Sequence, residues 1–240
     1  EFHDLSELQL NINPRSGDVE SSCGNLGFWS TKNQSNSSLN YPQACRQLAC
    51  EVANMAGLKG DHKLLDTGFG CGDQLAVWLQ EFKVNNLVGI NLSVSQTQHA
   101  QKKIAALKLH ADIRCELEVG DGCHPSAWQG LDKHFDRIIA LDCIYHFTNK
   151  PQYFSLCKQR MVEDGALVVS DLLLNASIKN IWHKFILKTI CYFSHIPFHN
   201  IKTIDEYRAE LNLMGLEIVS DKDISEQVFL PFGQWLEQYI

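Results

Sequence analysis

Between Lys63 and Ser220 the chain alternates short apolar runs with stretches of helical period, a rhythm that predicts an α/β protein on a doubly wound, mostly parallel sheet. Two local observations agree. From Leu64 to Asp73, Gly68, Gly70 and Gly72 stand at alternate positions between an apolar strand and a helix, so the backbone can take positive φ and let a ligand lie against it. Phe135 to Asp142 is nearly all apolar, as in a strand buried on both faces. With 240 residues, 45% of them hydrophobic, the chain is long enough to bury one large core. The expected organisation is an N-terminal arm over residues 1–40 and one domain over 41–240, with a helical lid insertion at 176–200.

The arm is polar and rich in Ser, Asn and Gly, and Leu26-Gly27-Phe28-Trp29 is its apolar part. A helix starts at Tyr41 with Pro42 in its first turn, lines up Leu48, Val52 and Met55, and stops at Gly57. The first strand is 63–67, and the helix after the glycine turn runs to about Phe82 with Leu75, Leu79 and Phe82 inward. Asn86 to Leu92 reads as a second parallel strand. Ser93 and Gln96 form a capping box opening a helix that buries Ala100, Ile104 and Leu107. A third strand, 113–119, ends at Gly120-Asp121, and the fourth is 135–142. A helix over 150–162 leads to a fifth strand, 166–173. Thr203 and Glu206 cap a late helix that shows Tyr207, Leu211 and Met214 on one side and ends at Gly215. Residues 216–220 are expected to form another strand, and Glu226 to Ile240 a loop and helix.

Composition excludes several classes. Twenty-one basic against 28 acidic residues, net charge −7, argue against a nucleic-acid surface, which needs clustered Lys and Arg. Nine cysteines without a Cys-x-x-Cys pair read as reduced core thiols, hence a cytoplasmic protein. Cys123-His124 and Cys143-x-x-His146 offer zinc-ligand types, but no second pair stands at metal-site spacing, so no metal is expected. No apolar run is long enough to span a bilayer.

The glycine turn departs from the dinucleotide pattern, because the position three after Gly70 is Asp73, whose charge repels a pyrophosphate. It resembles instead the first motif of the class I S-adenosylmethionine (SAM) methyltransferases, acid-x-Gly-x-Gly-x-Gly, matched by Asp66, Gly68, Gly70 and Gly72. The small-molecule, ubiquinone-biosynthesis-like branch is the nearest resemblance. It implies a Rossmann-like fold, SAM as cofactor and a small-molecule acceptor. It also implies that Asn91 stands where many members carry the acid that takes the ribose hydroxyls, with Leu92 and Gln96 beside it; a strand-end cap is the plainer alternative for Asn91. Gly120-Asp121-Gly122 resembles the next motif, with Asp121 toward the adenine amino group and Gly122 and Cys123 next to it. An Asp-Gly turn is the plainer alternative.

Asp142, Tyr145 and His146 emerge from the apolar fourth strand, where the resemblance places the methionine end of SAM and the acceptor. Tyr145 and His146 are the catalytic candidates, and an imidazole's unperturbed pKa lies near neutrality, so His146 suits a base; a structural histidine fits the same pattern. Trp29 and Tyr41 match an aromatic-tipped arm folding over the cofactor, an aromatic face being a good neighbour for a sulfonium, and core packing is the competing account.

The insertion Ile178 to His199 favours an apolar acceptor beneath a lid. Its mixture of Lys179, His183, Lys184 and Lys188 with aromatics also matches interfacial helices, so peripheral membrane contact through 178–199 stands as a second option, though an acidic chain gains little from anionic membranes. The family's closing antiparallel strand pair is not evident after 220, which leaves a sheet edge that another subunit can complete in an oligomer. A SAM-dependent methyltransferase for a lipophilic acceptor is the favoured reading; a catalytically silent SAM-fold protein binding a partner or a membrane surface is the other.

Overall fold

The computed structural model describes residues 21–29, 39–131 and 134–237. The elements in chain order are α1 (Tyr41–Met55), β1 (Lys63–Thr67), α2 (Asp73–Gln80), β2 (Asn86–Asn91), α3 (Val94–Ala106), β3 (Arg114–Val119), β4 (Phe135–Ala140), α4 (Lys150–Arg160), β5 (Met161–Val169), β6 (Leu173–Leu174), α5 (Ile181–Phe193), β7 (Lys202–Thr203), α6 (Ile204–Leu213) and α7 (Ser225–Leu236). The main sheet runs β3-β2-β1-β4-β5, every neighbouring pair parallel. Its winding reverses between β1 and β4, and that is where such sheets bind ligands.

Alternation along each strand separates two apolar layers. Leu64 and Ile139 pack with Leu48, Val52, Leu75, Trp78 and Ala100, so α1, α2 and α3 cover one face. Leu65 and Ile138 pack with Tyr153, Phe154, Cys157 and Tyr207, so α4 and α6 cover the other. Local signals set the helix starts: Asn40 with Gln43 and Thr203 with Glu206 are complete capping boxes. At α3 only half of the expected box forms, since Ser93 accepts from the Gln96 amide without a return bond.

Two further expectations are corrected. Strand β5 begins at Met161 and ends at Val169, because a register shift opposite Phe135 and Arg137 takes up Glu163, Asp164 and Gly165. Residues 216–220 join no ladder and form no strand: Leu216 and Ile218 are half-buried, yet Val219 is 89% exposed. Alternating hydrophobicity makes a strand only where a neighbour offers a ladder, and among the described residues the outer edge of β5 stays unpaired. The insertion is bracketed by β6 and β7, which pair in parallel as a separate two-stranded sheet. Much of the expected arm, 1–20 and 30–38, and residues 238–240 lie outside the described residues.

Candidate active site

The glycine turn sits at the tip of β1. Gly68, Gly70 and Gly72 all take positive φ, at 78°, 56° and 87°. Their surroundings differ. A Cβ at Gly68 would strike Cys143 at 2.6 Å and one at Gly72 would strike Ala100 at 2.7 Å, whereas one at Gly70 meets nothing within 4 Å. Only Gly70 therefore borders open space. Asp66 lies beneath the turn, fully buried, and accepts from Gln74 Nε2 and Trp78 Nε1. Burial pushes its carboxyl up to about 6 against the pull of those donors. Its negative charge thus fastens α2 to β1 and shapes the turn from below.

At the tip of β2, the Asn91 carbonyl oxygen accepts from the Gly70 amide at 3.3 Å, and its amide group donates to Gln96 Oε1 at 3.1 Å. Asn91 and Gln96 tie the turn to the start of α3. The next residue, Leu92, is 71% exposed although apolar. Asp121, at the tip of β3, is exposed and accepts from the Cys123 amide at 2.8 Å; Gly122 is half-buried and Cys123 buried. The open cradle at Gly70, the uncovered Leu92 and the exposed Asp121 carboxylate converge at the strand tips. They fit a nucleoside with an apolar face and an amino edge, as SAM has.

The fourth strand tip is more crowded. Asp142 holds φ at 52°, a conformation that a non-glycine residue adopts at a cost. Its carboxylate accepts from the Leu26 amide at 2.7 Å and the Tyr145 hydroxyl at 3.1 Å, and its own amide donates to Ser170 Oγ at 2.6 Å. Burial raises the Asp142 carboxyl, and burial with the adjacent Asp142 charge holds the Tyr145 phenol well above its ordinary range. Tyr145 stays protonated and donates. His146 is half-buried, and its Nδ1–H donates to the His195 carbonyl at 3.2 Å, so in the neutral ring Nε2 is the basic nitrogen. Asn200 donates to the carbonyls of Tyr145 and Phe147 at 2.9 and 2.7 Å, and Lys150 meets Asp171 at 2.6 Å in a buried ion pair, so this turn is pinned from below.

The arm crosses the same end of the sheet. Ser22 donates its amide to Asp73, which also pairs with Lys103, and Leu26 donates to Asp142. Two carboxylates thus clamp residues 22–26. Asp73, read from sequence only as a bar to pyrophosphate, is an arm anchor. Trp29 donates its indole N–H to the Leu26 carbonyl and packs on Trp235 at 5.7 Å. Tyr41 is buried, donates to the Asn25 carbonyl at 2.8 Å and stacks on Trp235 at 5.0 Å. Both rings belong to a cluster with Phe232 and Trp235 of α7. The structure brings Asp66, Gly68, Gly70, Gly72, Asn91 and Gln96 together, gathers Asp142, Tyr145 and His146 one strand away, and places Trp29 and Tyr41 in that aromatic cluster.

Among the described residues no group of three or more His, Cys, Asp or Glu could hold a metal ion, and none of the nine cysteines is in a disulfide.

Residues 32–239 match the family of mycolic acid cyclopropane synthetases. The chain is 25% identical over 149 residues to the erythromycin 3''-O-methyltransferase of Saccharopolyspora erythraea, covering 62% of this chain and 45% of that protein. It is 26% identical over 186 residues to methyltransferase GfsG of Streptomyces halstedii, covering 77% and 63%. The matched stretch is therefore less than two thirds of either relative. Among solved structures it superposes on the mycolic acid cyclopropane synthase CmaA1 complexed with SAH and CTAB at a TM-score of 0.75 and 15% identity, covering 99% of this chain and 81% of that one. At that identity the likeness concerns the fold.

Proposed function

Because the chain belongs to the mycolic acid cyclopropane synthetase family, within the class I SAM-dependent methyltransferases, we propose that it transfers a methyl group from S-adenosylmethionine to a small lipophilic acceptor. The open space at Gly70, in a turn whose other two glycines are closed by protein, carries this reading. When bound, SAM supplies an electrophilic methyl on a sulfonium, and displacement is in line, so positioning in a dry site is the protein's main task.

Gly68, Gly70 and Gly72 shape the turn with Asp66 behind it, Asn91 and Gln96 hold it, and Leu92, Asp121, Gly122 and Cys123 receive the nucleoside end. His146, with its lone pair on Nε2, takes the acceptor's proton. Tyr145 serves by its hydrogen bond to Asp142, and Asp142 holds the arm that carries Trp29. Residues 41–240 form the catalytic domain in this reading, and nine cysteines outside any disulfide fit a reducing compartment such as the cytoplasm.

Calorimetry with SAM and S-adenosylhomocysteine tests the reading, with micromolar binding expected; no binding of either overturns it. The exposed insertion helix supports a second reading, a SAM-fold protein that acts by surface binding alone. Mass-spectrometric detection of a methylated product in a lipid extract incubated with the protein and SAM excludes that second reading.

A further inference from the structure

We infer that helix α5, Ile181–Phe193, is a docking surface for an anionic lipid bilayer, a property that goes beyond the proposed reaction and stands without it. The helix leans on the protein through Leu187 and Cys191, one turn apart, of which Cys191 is buried and Leu187 half-buried. At 100° per residue, Trp182, Phe185, Ile186 and Phe193 fall on the opposite side. They are 72%, 64%, 54% and 72% exposed. The insertion is therefore no closed lid: its apolar side faces away from the sheet. A contiguous exposed apolar face of this kind marks an interaction surface.

Charge selects the occupant. Residues 176–200 contain Lys179, Lys184 and Lys188 and no acid, so all 28 acidic residues lie elsewhere in the chain. Lys188 flanks Phe185 at the edge of the apolar side, with its ammonium 5.1 Å from the centre of the Phe198 ring, and Lys184 is exposed on the flank nearer Leu187; such long cationic side chains reach lipid phosphates while aromatic rings enter the headgroup layer. An anionic surface attracts this helix and repels the rest of the molecule, which fixes the approach. A second copy offers no such match, because a twofold contact through this acid-free segment brings the like charges of both copies together.

Flotation of the full chain with vesicles tests this directly. The protein is expected to float with phosphatidylcholine vesicles containing phosphatidylglycerol, and about tenfold less with phosphatidylcholine alone or at roughly 1 M salt. The double variant Lys184→Gln/Lys188→Gln should lower partitioning about fivefold for each lysine removed. Trp182→Ser/Phe185→Ser should lower it roughly tenfold. All four side chains are exposed, so both variants should keep the wild-type melting profile. The inference is overturned by no flotation, by equal flotation with neutral and anionic vesicles, by variants that partition like wild type, or by a dimer in sedimentation that Phe185→Ser dissolves without vesicle binding.

Discussion

Gly70 and Gly72 share one turn but answer to different constraints, and substitution separates them. Gly70→Val puts a branched side chain where the cofactor is proposed to lie, so it should weaken SAM binding at least about a hundredfold, or roughly 3 kcal/mol. Gly72→Ala drives a methyl into Ala100 and should instead lower stability by about 1–3 kcal/mol in denaturant titration; unchanged SAM affinity in Gly70→Val assigns the turn another purpose. His146→Ala should reduce kcat by about a hundredfold or more while SAM affinity by calorimetry stays within about threefold. Equal losses in both make His146 structural. Asp66 gives a pH signature. Its folded carboxyl is raised to about 6, so the folded state binds the extra proton, and stability is highest below the unfolded pKa near 4 and falls as pH rises through 6. Asp66→Asn removes that fall, and between pH 4 and 7 the variant should gain about 2 kcal/mol on wild type in urea unfolding. Parallel pH profiles contradict the assignment.

At the scale of elements, the turn after β4 rests on two buried polar contacts from distant segments. Lys150 at the start of α4 pairs with Asp171 after β5, and Asn200 before β7 holds the carbonyls on either side of His146. Lys150→Met leaves Asp171 buried and uncompensated, which should cost about 3–5 kcal/mol, whereas Lys150→Met/Asp171→Leu should recover most of it. A double variant as unstable as the single one means the pair does more than neutralise charge. The helices and β1 to β4 were legible in sequence because apolar spacing, capping residues and glycine stops coincide there. The strand expected at 216–220 was not, since its alternation is local while a ladder is a property of two segments. Likewise, the half-formed cap at Ser93 turned on where Gln96 points: it bonds Asn91 instead.

For the whole molecule, proposed ligand binding and stability are linked. S-adenosylhomocysteine at about a hundred times its Kd should add about 2.7 kcal/mol and raise Tm by roughly 5–10 °C; a melt that does not move argues against the site. The motif Asp66-x-Gly-x-Gly-x-Gly, the strand rhythm and the aromatic insertion were readable without coordinates, since each is written in consecutive residues, and they led to the fold, the cofactor class and the class I SAM-dependent methyltransferases as a group. Other roles came only from tertiary structure. Asp73 and Asp142 clamp the arm, Trp29 and Tyr41 join Trp235, and α5 turns its aromatics outward. For the first two the partner lies on a different element, and for α5 the outcome depends on which side packs on the protein, so each role is set by three-dimensional packing, and a side chain's own sequence neighbours carry no record of what it will touch.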